Sequence, residues 1–454
     1  MQEKNNVEGR KIYGLFTAIS MIVGIVVGSG IYFKADDILG YTNGNLGLGL
    51  LVLTLGALCI IFGSLTLANL SKRYISKGGL VGYYERFISR EIATAYGWFQ
   101  LYIWFPTISV VVAWAGAIYT FMLVGVEATF LEQVLLGLFY NLIFIFINSL
   151  SRRTGGLIQR LATAIKLLPL IIIAIYGIFF AGPVDLAAMR GPGFIEEFSK
   201  FSWLSALVPL AFIFDGWTIS MTIGPEMVNP KKSLTKALII SPIFILLIYL
   251  VYIFSLAKVL GSQEIIRLGD ASIFVAASSI FGPRAGNIIL VIVIISILGV
   301  VNGLELGAIR IPQAMAEMGM ISDPEGKISK LNPRTQLSAR SVMIVLLLNL
   351  FWGLLHFIVM KYNLFSGRDI SEISIVFSYL MYIMLYIEVF KLLKNENNRR
   401  RLWLPIAAII GSLIIFVGSI LASPLYVSLF VIICFIICLM GYKYMQKKQE
   451  DKNK

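Results

Sequence analysis

The sequence predicts an all-α integral membrane protein of about twelve transmembrane helices, with the first and sixth broken near mid-bilayer. Three observations lead there. The 454 residues are 58% hydrophobic and only 14% charged, with a mean hydropathy of +0.84, too apolar for a soluble chain of this length. Apolar runs of roughly 20 residues, the length that crosses a hydrocarbon core, recur with short polar connections. The net charge of +13 is also sorted: about 29 of the 38 Lys and Arg fall in the termini and alternate connections, about eight on the other side, and Lys166 alone inside an apolar run, as the positive-inside rule requires. Both termini are therefore expected on the cytoplasmic face of a cell membrane. The basic excess reflects topology rather than nucleic acid, and the lipid bilayer is the expected surrounding.

Residues 1–11 are polar and basic. No cleavable leader is expected, because the next apolar run outlasts a signal core and lacks a small-residue cleavage site. Span 1, about residues 12–39, leaves through Asp36-Asp37 into a Gly-containing turn. Span 2, about 46–70, returns to a basic segment where residues 76–84 read either as a helix on the membrane surface or as a plain connector. Span 3, about 91–123, is long and aromatic, and span 4, about 130–150, ends at the basic turn 151–153. Span 5, about 154–181, carries Lys166 between Thr163 and Pro169. These five form a first repeat, 12–181, followed by a Gly- and Pro-rich external loop, 182–201. Span 6 begins near Trp203, span 7 covers about 234–260, and span 8, after an external loop with a partial helix, about 285–311. Spans 9 and 10, about 337–360 and 370–392, complete a second repeat, 202–394. Spans 11 and 12, about 402–421 and 424–444, occupy 395–445, and 446–454 is a cytoplasmic tail. Cys59, Cys434 and Cys438 lie in apolar runs, where cysteine acts as a small hydrophobe.

Span 1 reads Ile-Val-Gly-Ile-Val-Val-Gly-Ser-Gly-Ile-Tyr-Phe over residues 22–33. Glycine costs roughly 1 kcal/mol per residue in a helix interior, and a backbone group freed in hydrocarbon is costly unless something meets it. A break at Gly28-Ser29-Gly30 therefore needs a partner. N–H groups at the start of a half-helix suit an anion such as a carboxylate, whereas small residues that merely let helices pack closely would give the same triplet. Span 6 repeats the feature with Phe212-Ile213-Phe214-Asp215-Gly216-Trp217-Thr218. Five spans separate the two starts, an odd number, so the second unit enters from the opposite side. Broken helices at matching places in inverted units point to a transporter site at the midplane.

The two breaks read as complementary. The glycine triplet offers N–H groups to a carboxylate, while carbonyls around Ile213 and Phe214 suit an ammonium, so a zwitterion satisfies both. Phe212 and Phe214 supply apolar cover, and Trp217 reads as packing. Asp215 has three open roles: attracting the ammonium, carrying a proton, or accepting hydrogen bonds from its own break. Lys166 is too deep to snorkel and is expected to face a cavity and donate to carbonyls near the span 1 break. Its fixed ammonium would stand where ion-driven transporters of this architecture hold sodium, which argues against sodium coupling. A purely structural pair with a buried acid is the alternative. Glu305 is expected to pair with Arg310, and Glu388 with Lys391.

The ordered set Gly28-Ser29-Gly30-Ile31-Tyr32, Gln159 with Thr163-Ala164-Ile165-Lys166-Leu167-Leu168, Phe212 with Gly216-Trp217, Pro225 to Leu234, and Asn302-Gly303 resembles the APC superfamily. Within it the chain resembles the L-type amino acid transporter branch and its bacterial permease relatives, over essentially its whole length. The resemblance implies a five-plus-five inverted repeat with two extra helices and sodium-independent amino acid transport, often by obligatory exchange. It also implies that Val27, Gly28, Ser29 and Gly30 hold the substrate carboxylate, that Ala211 to Phe214 hold the amine, that Phe212 gates, and that Lys166 ties span 5 to spans 1 and 8. Some relatives carry a serine where this chain has Val300, so Ser296, one turn earlier, is expected to support Lys166 instead. Animal members join a heavy chain through a cysteine after span 3. Residues 123–132 contain none, so no disulfide-linked partner is expected.

The function expected is sodium-independent transport of neutral L-amino acids by alternating access, as an exchanger. Val27, Phe212, Phe214 and Thr218 suggest a pocket with no committed charge for the side chain. Asp215 leaves a cationic substrate open, Asp215 and Glu305 leave proton symport open, and a sensor built on a transporter fold would keep both breaks. An enzyme is not expected. There is no P-loop or metal-ligand spacing, and His356 is the only histidine, so neither catalytic residue, cofactor nor metal is implied.

Overall fold

A computed structural model describes residues 13–76, 78–150, 152–181, 193–332, 335, 337–364, 369–422 and 424–453. The N-terminal segment, Ser151 and most of the 182–201 loop lie outside these. Among the described residues twelve helices are long and apolar enough to cross a membrane: Leu15–Tyr32, Leu46–Arg73, Arg90–Val124, Phe130–Leu150, Leu157–Phe179, Ser202–Pro225, Pro230–Leu260, Pro283–Glu317, Ala339–Lys361, Ser374–Asn395, Arg399–Leu421 and Pro424–Asp451. These are spans 1 to 12. Among the described residues the only strand-like pairing is a parallel bridge between Tyr13 and Met227, where the Val228 amide donates to the Tyr13 carbonyl at 2.8 Å. Helices dominate because each satisfies its own backbone, the condition hydrocarbon imposes.

Several spans start where a short polar side chain takes an otherwise orphaned amide. Asn45 accepts from the Leu48 amide at 2.9 Å, Ser89 from that of Ile92 at 3.2 Å, and Ser338 from that of Ser341 at 3.3 Å. Span 3 loosens into one wide turn over Gln100–Trp104, directly before Pro106, which has no amide to donate and crowds the preceding turn. Residues Leu80–Phe87 form a short helix. It does not lie on the membrane surface: Leu80, Val81, Tyr83 and Tyr84 are buried in protein, and Tyr84 donates to the Met381 carbonyl at 2.8 Å. Between spans 7 and 8 stand two short helices, Ser262–Leu268 and Ser272–Phe281. Glu388 and Lys391 pair at 2.6 Å, as their spacing predicts.

Burial separates axis from rim. Of the apolar windows, 88% of span 6 and 82% of span 1 are buried, against 22% of span 4 and 33% of span 9. Spans 4 and 9 instead expose Leu135, Phe139, Phe146, Leu347, Phe351 and Leu354, the side that lipid covers. The broken spans are thus central.

Span 1 is two helices, Leu15–Val26 and Ser29–Phe33, separated by an extended Val27 and by Gly28. Span 6 runs as a helix over Leu207–Ile213, turns at Phe214-Asp215-Gly216, and continues as tight turns over Trp217–Glu226. Gly216 has φ +91°, a conformation that favours glycine, and a methyl there would strike Ile25 of span 1. Gly30 comes as close from the other side, since a Cβ on it would lie 3.0 Å from the Ile213 Cα. The two breaks therefore pack closely, with the Ile25 side chain against Gly216 and Ile213 against Gly30. Gly216→Ala should lower the apparent melting temperature of the detergent-purified protein, reflecting strain of roughly 1–3 kcal/mol. Gly14→Ala, where nothing lies within 4 Å, should leave it unchanged.

Candidate substrate site

A helix broken in the membrane strands carbonyls whose donors, four residues on, lie past the break. For Gly24, Val26 and Ile213 those donors would be Gly28, Gly30 and Trp217. Each of the three carbonyls has found a side chain. The Lys166 ammonium, fully buried, donates to the Gly24 carbonyl. The single hydroxyl of Tyr249, on span 7, reaches both the Val26 carbonyl at 3.0 Å and the Ile213 carbonyl at 3.2 Å. One side chain thus ties the C-terminal ends of both half-helices together.

Span 5 grips span 1 on either side of its break. Thr163 donates to the Ser20 carbonyl at 3.0 Å, Lys166 follows one turn on, and Tyr32, beyond the break, donates to the Lys166 carbonyl at 2.9 Å. Span 8 approaches the same place through Gly299, which leaves room beside the Lys166 Nζ. Asn302 of span 8 donates to the Gly155 carbonyl at 3.1 Å and to Gln159 at 3.3 Å on span 5.

Between the breaks lies a narrow cavity, about 370 Å³ of space not filled by atoms. Gly28 and Gly30 form one wall, and Phe212, Asp215 and Gly216 the opposite one. Ile108 and Val112 of span 3, Val300 and Leu304 of span 8, and Ile375 of span 10 close the sides. Asp215 is buried, and among the described residues its Oδ1 has no hydrogen-bond partner. Trp104, Tyr96, Tyr379 and Tyr382 crowd around it. Phe212 is half-buried and roofed by Lys34, whose Nζ lies 5.9 Å from the ring centroid. Lys34 also pairs with Glu372 at the foot of span 10, 3.2 Å away, and with Asp37 at 3.4 Å.

Of the residues singled out from sequence, Gly28, Gly30, Phe212 and Asp215 line this cavity. Ser29 opens the second half-helix, and its side chain lies outside the described residues. Val27, Ala211, Phe214 and Thr218 are buried elsewhere. Phe214 turns away to pack on Tyr249, ring centroids 5.2 Å apart, and Thr218 lies against the Tyr382 phenol. Helical periodicity ends at the break, so side chains beyond it face directions that spacing cannot assign. Ser296 does not brace Lys166: its Oγ is buried without a partner among the described residues. Glu305 does not pair with Arg310. Its Oε1 is in hydrogen-bond contact with the Ser109 hydroxyl of span 3 and accepts from Asn349 of span 9, while Arg310 donates to the Leu306 carbonyl. Tyr249 was missed because one tyrosine among many in an apolar span carries no local signal of its distant acceptors.

Paired broken helices around a cavity between them define a membrane transporter for a small solute. Comparison with known proteins identifies the class of solute. The chain belongs to the Amino acid permease family, whose pattern matches residues 13–442, and is thus a multi-pass amino acid transporter rather than an enzyme. It is 29% identical over 436 residues to the serine/threonine exchanger SteT of Bacillus subtilis, covering 93% of this chain and 94% of that protein. It is also 27% identical to the human b(0,+)-type amino acid transporter 1 over 66% of this chain and 62% of that one. The mouse Asc-type amino acid transporter 1 is 27% identical over 53% and 46%.

Tyr249→Phe keeps the ring against Phe214 and removes only the hydroxyl. The one hydroxyl proton that the two buried carbonyls share is then lost, at a cost of about 1–3 kcal/mol. The variant should melt measurably below the parent in the same detergent, and unchanged melting would mean the carbonyls find other donors.

Proposed function

We propose that this protein exchanges small neutral L-amino acids across the cell membrane without sodium, by alternating access around the paired breaks. The observation that carries this reading is the cavity between them. On one wall, the Gly28 to Gly30 amides at the start of a half-helix suit the substrate carboxylate, with Val27 and Ser29 completing that turn. On the other, Asp215 has an unpartnered oxygen for the ammonium, and the turn from Ala211 through Phe214 to Thr218 positions it. Phe212 closes over the ligand. The narrow walls favour a small side chain, and the exchanger named among the relatives, whose substrates are serine and threonine, supports both the size and the mode.

Lys166 supports sodium independence, because a fixed ammonium on the Gly24 carbonyl disfavours a second cation nearby. The even number of spans and the sorted basic residues support cytoplasmic termini. Residues 12–181 and 202–394 read as the two inverted units, with 395–445 added. The lack of cysteine in residues 123–132 supports a chain that works without a disulfide-linked partner. One observation favours a second reading: the uncompensated Asp215 would also suit a cationic side chain.

Counterflow in proteoliposomes tests these together. Labelled serine, threonine or alanine should enter only vesicles preloaded with unlabelled amino acid, with or without sodium. Labelled lysine or arginine should not enter unless the second reading holds, and robust uptake into empty vesicles under a pH gradient would overturn exchange. Lys166→Ala should cut exchange at least about tenfold, equivalent to ~1.4 kcal/mol, while the amount of protein in the membrane falls far less. Equal losses would make Lys166 a purely structural group.

A further inference from the structure

Behind the cavity wall formed by Ile108 and Leu304, the next residues of the same helices, Ser109 and Glu305, meet a polar cluster that the transport reading does not use. Glu305 is fully buried. Its Oε1 is met by the Ser109 hydroxyl and by Asn349 Nδ2 at 2.9 Å, and the Ser109 Oγ also lies 3.1 Å from Asn141 Oδ1. Glu305 Oε2, Asn349 Oδ1 and Asn141 Nδ2 have no partner among the described residues.

Serine has one hydroxyl proton, yet Ser109 stands between two acceptors. Both contacts are satisfied if Glu305 is itself the donor. Reversing the Asn141 amide would also serve Ser109. It would, however, leave a bare carboxylate in the membrane core, with two neutral donors on one oxygen and none on the other, an arrangement that burial strongly disfavours.

No described cation lies within ion-pair distance of Glu305. On the packed helices, Tyr119 donates toward the Asp270 carbonyl, Tyr140 pairs with Thr120, and Lys166 serves Gly24. His356 is enclosed by Trp114 and Phe130. Glu132, Arg160, Arg340 and Lys361 are exposed.

We propose that Glu305, with Ser109, Asn141 and Asn349, is a proton-binding site: the carboxyl carries a bound proton that joins spans 3, 4, 8 and 9 behind the substrate cavity, and transport requires that proton. The transport half of this rests on the amino acid exchange proposed above; the bound proton does not.

The full-length protein is reconstituted and exchange of labelled against unlabelled substrate is followed from acidic to alkaline pH, equal on both faces. Wild-type exchange should fall about tenfold per pH unit once the proton is lost, and Glu305→Gln, the amide mimic of the neutral acid, should abolish that alkaline limb. A flat wild-type profile, or the same limb in Glu305→Gln, would overturn the proposal. Infrared spectra provide the readout if Glu305→Gln fails to fold. A carboxylic-acid carbonyl band should be present at neutral pH, shift in heavy water, vanish at alkaline pH and change frequency in Ser109→Ala. Without such a band the bound proton is refuted. If the band behaves as expected while no protein exchanges amino acid at any pH, the proton stands and the exchange reading fails.

Discussion

The structure depends on one constraint: a backbone carbonyl in hydrocarbon must have a donor, and a helix interrupted in the membrane has lost some of its own. The Gly24, Val26 and Ile213 carbonyls would otherwise be orphans, and Lys166 and Tyr249 supply what the helices gave up. Both donors come from other spans that are not broken, spans 5 and 7. The breaks are therefore products of tertiary structure and cannot form in an isolated helix.

The division of labour at the site follows. The Gly24, Val26 and Ile213 carbonyls are met by protein groups, whereas the Asp215 Oδ1 on the facing wall has no partner among the described residues. The carbonyl of Ile213, which the sequence alone would offer to a substrate ammonium, is already occupied by Tyr249. Asp215 consequently gains importance as the polar group on the span 6 wall with capacity to spare.

Much of this was legible in the sequence because its causes are local. Glycine clusters inside apolar runs, a lone lysine twelve residues into a span, and basic residues in alternate loops each violate or satisfy a rule that needs no partner to be seen. What was not legible depended on partners far along the chain. Glu305 sits five residues from Arg310, and short spacing suggested a pair, but its side chain points to spans 3 and 9. Phe214 and Thr218 lie beyond the point where helical phase is lost. The cavity walls from Ile108, Val112, Leu304 and Ile375 are ordinary aliphatics, indistinguishable in sequence from those that face lipid. The wide turn before Pro106 could have been suspected from the proline, though not its extent.

The bond from the Val228 amide to the Tyr13 carbonyl has a mechanical meaning. It joins the chain just before span 1 to the chain just after span 6, two points remote in sequence, on the same face of the protein. The near ends of both interrupted helices are thereby buckled together by main chain alone, indifferent to side-chain identity. Either helix must then swing as a pair with the other, or unclasp first.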